Sequence, residues 1–334
     1  MSINSEILFL AMGVAFFATL IGVPLLRRLL MARNVIDTPN SRSSHTQPTP
    51  RGGGVVVVLA VIAGIAILKM GEQAWPTDLF PIIIIAFLLG CVSLTDDIRN
   101  LSPGLRLLCQ ALAVGIALAI APELVLTSIP FLPFWLASIV TAMIWVWFIN
   151  LYNFMDGIDG ITGVQTATIS IGICLLGITG AISFDIVAPI AIIGVASLAF
   201  LFWNWAPAKI FLGDVGSIPL GFILGWALLY ITHEGAWVAA VIIPGYYLAD
   251  ATITLLKRAI RGEKVWTPHR EHFYQMPVLH NVRHDLIVLR IILANAVLVC
   301  ISIWVTPMDY IYALSIGSLI ILGLLWHLSR LGRP

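Results

Sequence analysis

The sequence predicts an all-α polytopic membrane protein, and three observations carry that prediction. Sixty per cent of the 334 residues are apolar, only 10% are Asp, Glu, Lys or Arg, and mean hydropathy is +1.00. A soluble domain carries about 25% charged residues because its surface must face water. The third observation is that apolar runs near 20 residues, the length that crosses a bilayer core roughly 30 Å thick, recur along the whole chain. Soluble enzymes, disordered chains, secreted disulfide scaffolds and basic nucleic-acid binders are excluded together, and no nucleic-acid partner is expected. The four cysteines, Cys91, Cys109, Cys174 and Cys300, lie in apolar runs without paired spacing and read as buried, inert thiols.

The runs number about eleven: 7–30, 54–70, 79–95, 105–122, 134–152, 161–180, 186–205, 217–233, 236–258, 286–306 and 310–328. The fifth and ninth contain polar residues, and Pro244-Gly245 interrupts the ninth. The first is not a cleaved signal peptide, since its Arg27-Arg28 pair follows the apolar stretch and no basic region precedes it. No repeat or soluble domain is evident, so residues 1–334 read as one integral membrane domain.

Orientation follows from positive charge. With the N-terminus periplasmic and the C-terminus cytoplasmic, only Lys69 of the 18 Lys and Arg residues falls outside, and the inner set includes Arg42 and Arg333. Outer connections are short, as at Glu72-Gln73 and Pro307-Met308, whereas the longer inner loops hold nearly all polar chemistry. The active site is therefore expected at the cytoplasmic face.

Each inner loop admits a chemical and a plain reading. The first runs from Asp37 to His45 and ends in Arg51-Gly52-Gly53-Gly54, where glycine N–H groups and a cation suit a bound anion. A flexible basic loop against anionic lipid fits it equally. The second holds Asp96-Asp97, then Asn100 and Pro103. Adjacent carboxylates suit Mg²⁺ bridged to phosphates, and a solvated acidic turn is the alternative. In the third, Asn150, Asn153, Asp156, Asp159 and Thr162 recur every third residue among Gly157, Gly160 and Gly163. Steps of three spread round a regular helix, so one polar face requires a broken helix there. Two buried Asp also need partners, since a charge at membrane depth costs at least ~2.5 kcal/mol. In the fourth, Asn204 precedes Gly213-Asp214, and Asp214 is either a ligand-binding carboxylate or an N-cap, with Ser217 as rival cap. The fifth, about 259–285, carries Arg261, Glu263, Lys264, His269, Arg270, His272, His280 and His284. Cationic His and Arg reaching a diphosphate explain it better than a metal site. Asp250, four residues before Thr254 and seven before Lys257, is either an intrahelical ion-pair partner or a substrate contact.

Five helix N-termini, near Gly54, Pro103, Ile161, Ser217 and Asp285, would point their positive ends at the same surface. Carboxylates plus convergent N-termini describe a site for Mg²⁺ shared with phosphates.

Together, Pro48-Thr-Pro-Arg-Gly-Gly, Asp96-Asp97, Asn153-Phe-Met-Asp156-Gly-Ile-Asp159-Gly, Phe211-Leu-Gly-Asp214-Val-Gly-Ser and the His-rich loop resemble the polyprenyl-phosphate N-acetylhexosamine-1-phosphate transferases, glycosyltransferase family 4. The resemblance covers essentially the whole chain. The Arg-Gly-Gly-Gly and His-Arg-Glu-His forms are most similar to the branch that initiates O-antigen and argue against a peptidoglycan precursor as substrate. It implies transfer of a sugar-1-phosphate from a UDP-N-acetylhexosamine to undecaprenyl or another polyprenyl phosphate, releasing UMP, in a bacterial inner membrane. It further implies Mg²⁺, with Mn²⁺ as substitute, held principally by Asp214. Asp96 would orient or deprotonate the lipid phosphate, with Asp97 in support. Arg51, Asn153, Asp156, Asp159 and Asn204 would serve substrate, and His269, Arg270 and His272 the diphosphate. The donor sugar and a homodimeric assembly stay open. The rival class is a cation-coupled transporter, which predicts ionisable residues at the bilayer midplane rather than at one face.

Overall fold

The computed structural model describes residues 5–39, 44–71, 75–99, 101–127, 132–265, 267, 269–304 and 309–332. Arg42, Asn100, Arg333 and the turns at Glu72-Gln73 and Pro307-Met308 lie outside them.

Twelve α-helices make up the described chain: α1 (Ser5–Ala32), α2 (Gly54–Leu68), α3 (Leu79–Arg99), α4 (Pro103–Ile120), α5 (Phe134–Phe154), α6 (Ile161–Ile178), α7 (Val187–Asn204), α8 (Asp214–His233), α9 (Trp237–Ile242), α10 (Gly245–Ile260), α11 (His284–Trp304) and α12 (Tyr310–Arg330). The two strands, β1 (Ile36–Asp37) and β2 (Thr49–Pro50), pair antiparallel, with Ile36 opposite Pro50. Among the described residues nine helices are long and apolar enough to cross a membrane. All eleven apolar runs are helical, but α2 has only 15 residues and the ninth run is split into α9 and α10. The split falls at Ile243-Pro244, where proline lacks the N–H that would continue the ladder.

Burial is arranged for lipid rather than water. In α8, 89% of the apolar window is buried, against 22% in α1 and in α12, so α8 is the central post and those two lie outermost. Phe9, Phe17, Leu112, Met143, Leu293 and Trp326 point outward, which costs nothing where the surroundings are hydrocarbon. The same logic corrects the expectation for the cysteines. All four are free, but Cys91 and Cys300 are exposed and Cys109 and Cys174 only half-buried.

At one end of the bundle the inner loops and the helix ends that flank them meet. There Arg27 Nε donates to the Lys209 carbonyl, Asn153 Nδ2 to Ser217 Oγ, and His284 lies against Asp159 and Ser44. At the opposite end Trp226 Nε1 donates to buried Asp78. The five expected N-termini, those of α2, α4, α6, α8 and α11, all belong to the first end.

Candidate active site

The site is assembled on the head of α8. Gly213, with φ at +76°, turns the chain into the helix, so Gly213 takes the N-cap position and Asp214 is the first helical residue rather than a cap. Arg51 bonds Asp214 Oδ1 directly and lies 3.4 Å from Asp97 Oδ1. Arg106, one turn into α4, places Nη1 3.0 Å from Asp96 Oδ2 and 3.8 Å from Asp214 Oδ2. Asp96 also accepts from the Leu101 N–H at 2.6 Å. Two guanidinium groups thus gather the carboxylates of α3 around Asp214. Burial works against the Arg51 charge, but Asp214, then Asp97, Asp37 and Asp156 outweigh it and raise its pKa.

The Arg51-Gly-Gly-Gly segment corrects one expectation. Gly52 and Gly53 both donate to the Phe211 carbonyl, at 3.1 and 2.9 Å, and Gly54 donates to the Leu212 carbonyl at 2.9 Å. These N–H groups are consumed by the chain itself, so they form no anion cradle. The glycines instead allow contact between backbones. A Cβ on Gly54 would stand 2.3 Å from Gly216 Cα. What α2 contributes to the site is the Arg51 side chain, seated by that seam.

The third loop is broken as its spacing requires. Helix α5 ends at Phe154, α6 begins at Ile161, and Gly160 turns the chain at φ +80°. Asp156 lies half-buried in this break, and burial pushes its carboxyl up to about 6, with Arg51 opposing and Asp214 reinforcing the shift. Asp159 accepts from the Ala208 N–H at 3.0 Å and lies 3.2 Å from His284 Nδ1. Asn204 is buried, with its carbonyl accepting from the Gly160 N–H and its amide donating to the Ile210 carbonyl. Each end makes one bond to the protein, so Asn204 fixes the third and fourth loops to each other, and it also lines the smaller of the two cavities.

The fifth loop is organised by Asp250. No Lys257 partner is found for it; Lys257 sits over the Phe273 ring instead. The fully buried Asp250 carboxylate accepts from the Tyr246 and Thr254 hydroxyls and the Phe273 and Tyr274 N–H groups, and faces His272 Nδ1 at 3.1 Å. It is therefore neither an intrahelical ion-pair partner nor a substrate contact. Tyr274 Oη then donates to the Phe154 carbonyl, pinning this loop to the end of α5. Buried Arg258 holds Glu263, Glu271 and the Thr267 carbonyl from below. Burial, His272 and Arg258 lower the His269 pKa to about 4. His269 is thus neutral at pH 7, not the cation expected. Arg270 stands outside the linings of both cavities described next.

Two cavities open on these residues. One, about 410 Å³, is lined by Leu89, Val92, Leu107 and Ile218 along the helices and by Asp96, Arg106, His269 and His272 at its head. The other, about 270 Å³, is lined by loop residues including Asp37, His45, Arg51, Asp156, Asp159, Phe211 and His284. Asn153, Asp214 and Gln275 line both. Among the described residues, His45 Nε2 and Gln275 Oε1 are buried without a protein partner, which leaves a polar atom on each for a ligand. The structure therefore brings Asp96, Asp97, Asp156 and Asp214 to one place. The sequence did not single out Arg106, His45 or Gln275 as site residues. For Arg106 the signal was available, since a charge inside an apolar run needs a partner.

No group of three or more His, Cys, Asp or Glu forms a metal cage among the described residues. Mg²⁺ is commonly held by one or two carboxylates plus substrate phosphates rather than by a cage. Asp214 and Asp97, converging on one Arg51 nitrogen, fit that all-oxygen pattern.

The sequence is similar to known proteins along most of its length. The family described as glycosyl transferase family 4 matches residues 79–232. A Yersinia pestis protein named undecaprenyl-phosphate alpha-N-acetylglucosaminyl 1-phosphate transferase is 30% identical over 270 residues, 75% of this chain and 71% of the relative. A Bacillus subtilis protein named probable undecaprenyl-phosphate N-acetylglucosaminyl 1-phosphate transferase is 26% identical over 294 residues, 84% of this chain and 80% of the relative. A Clostridium beijerinckii phospho-N-acetylmuramoyl-pentapeptide-transferase is 29% identical over 309 residues, 82% of this chain and 90% of the relative. On this similarity the chain belongs to glycosyl transferase family 4, among the polyprenyl-phosphate hexosamine-1-phosphate transferases.

Proposed function

We propose that the protein transfers an N-acetylhexosamine-1-phosphate from a UDP-N-acetylhexosamine to undecaprenyl phosphate, releasing UMP and leaving a lipid-diphospho-sugar that starts a cell-surface glycan of the O-antigen type. The observation that carries this reading is the common wall of the two cavities. An apolar-flanked groove suits a polyprenyl chain ending in phosphate, and a polar pocket suits a nucleotide sugar. Asn153, Asp214 and Gln275 stand between them, where the two phosphates would meet.

A phosphate oxyanion is already a competent nucleophile, so catalysis here is chiefly positioning and charge neutralisation. Arg106 draws the acceptor phosphate toward the head of the groove, with Asp96 holding that guanidinium in place. Arg51 and the buried edges of His45 and Gln275 orient the donor. Asp214 and Asp97 would hold Mg²⁺, which would supply positive charge to the phosphates, and Mn²⁺ is the expected substitute. The positive-charge bias supports a site on the cytoplasmic side of a bacterial inner membrane, where nucleotide sugars are found.

The test is UMP release in purified membranes across a panel of UDP-sugars. Release should require both polyprenyl phosphate and Mg²⁺. Near-normal turnover in both Asp97→Asn and Asp214→Asn, with the protein inserted, would refute the assignment.

A further inference from the structure

We infer that Asp250 is a positioning residue that fixes the tautomer and orientation of His272, so that the two work as one unit facing the phosphates in the 410 Å³ groove. This rests on the proposed reaction.

The inference starts from an unusual concentration of donors. One fully buried carboxylate collects two hydroxyls, two backbone N–H groups and an imidazole nitrogen. Holding the helix alone would need only Tyr246 and Thr254, its neighbours one turn away on α10. The other three contacts reach across to consecutive residues of the fifth loop, His272, Phe273 and Tyr274. Backbone bonds at 3.0 and 3.1 Å set where the turn lies, and the Nδ1 contact at 3.1 Å sets how the His272 ring is rotated. The ring is also stacked on Tyr274, with centroids 5.6 Å apart and planes 16° from parallel. The carboxylate contact and the stack together restrict the ring's rotation.

The chemistry follows from donor counting. An ionised carboxylate only accepts, so Nδ1 facing it carries the proton. In the neutral ring Nε2 is then the unprotonated nitrogen, and it is the one left to meet a ligand in the groove that His272 lines. When Nε2 takes up a proton, the imidazolium donates toward phosphate oxygens while Asp250 balances its charge from behind. His269, whose centroid is 4.8 Å away, instead accepts the Glu271 N–H at Nδ1, and burial holds it neutral. The structure thus separates the two histidines: His272 is the one equipped to carry charge toward a phosphate, and His269 is its neutral neighbour.

The experiment is a double-mutant cycle on the full chain in membranes, with Asp250→Asn, His272→Ala and both together. Asn keeps an oxygen for the loop N–H groups but presents an amide donor to the ring. Each single variant should lose about 10- to 100-fold in kcat, as removal of a partner behind a functional His does, with KM for the UDP-sugar little changed. The double variant should be no worse than the poorer single one, because the pair acts as a unit. Multiplying losses, or near-normal kcat in Asp250→Asn, would overturn the inference. Should Asp250→Asn fail to insert, nitrogen-15 spectra of the wild-type histidines, assigned with His272→Ala, decide it. A His272 signal with Nδ1 protonated supports the pairing, and one with Nδ1 bare removes it. Wild-type UMP release is required before the cycle is read, so a failure of the reaction itself is seen separately.

Discussion

Arg106 Nη1 lies 3.0 Å from Asp96 Oδ2 and 3.8 Å from Asp214 Oδ2, so a single side chain on α4 joins the end of α3 to the head of α8. Because Arg106 is 41% exposed, the bridge adds little to stability. Its value lies in where it holds two carboxylates and a free flank of guanidinium. Arg106→Ala should reduce transfer about 100-fold and leave the melting temperature within a few degrees. Arg106→Lys should recover only part of the activity, since an ammonium can replace Nη1 between the two carboxylates but lacks the further planar N–H donors a guanidinium offers a phosphate. Initial rates and thermal melts of detergent-solubilised protein check both.

The seam between Gly54 and Gly216 leaves no room for a methyl group. Gly54→Ala should destabilise the protein by about 1–3 kcal/mol through overpacking against backbone. Because Arg51 rides on that seam, activity should fall further than the melt alone accounts for. Gly13→Ala, where a Cβ meets nothing within 4 Å, is the control and should be silent.

Asn204 separates holding the site from acting in it. Asn204→Ala leaves the Gly160 N–H and the Ile210 carbonyl without their partner, a loss of about 1–3 kcal/mol for each buried group that water cannot reach. The melting temperature should drop measurably, and ligand binding by the surviving folded fraction should be weakened rather than abolished.

Asp156 should show the opposite pattern. Its carboxyl sits at about 6 in the folded chain, above the ordinary 3.8. The folded state then binds more protons than the unfolded one between those values, so stability falls as pH rises from about 4 to about 6. Above pH 6 the cost is on the order of 3 kcal/mol. Asp156→Asn should therefore melt higher than the wild type at pH 7, lose that pH dependence, and lose transfer activity. A lower melt at pH 7 would contradict the burial argument.

Much of the frame and the meeting of the carboxylates was legible in the sequence, and the exceptions share a cause. Apolar runs need only counting, and Asn153, Asp156 and Asp159 announce a broken helix by a spacing no regular helix can turn to one side. Partners distant in sequence were not visible. The N–H groups of Gly52, Gly53 and Gly54 look available until the Phe211 and Leu212 carbonyls arrive from another loop. Asp250 looks like a partner for Lys257 until the fifth loop folds over it. His269 carries charge on paper, and only burial reveals that it is neutral. The partners of Arg106 lie on other helices, so its apolar run gives no sign of them.

The wall shared by the groove and the polar pocket has a consequence for transport. In the proposed reaction an isoprenoid tail and a uridine belong to immiscible phases, and neither need be brought wholly into the other's. With Asn153, Asp214 and Gln275 as the meeting line, each reactant stays in its own solvent. Only a sugar phosphate changes hands across the border.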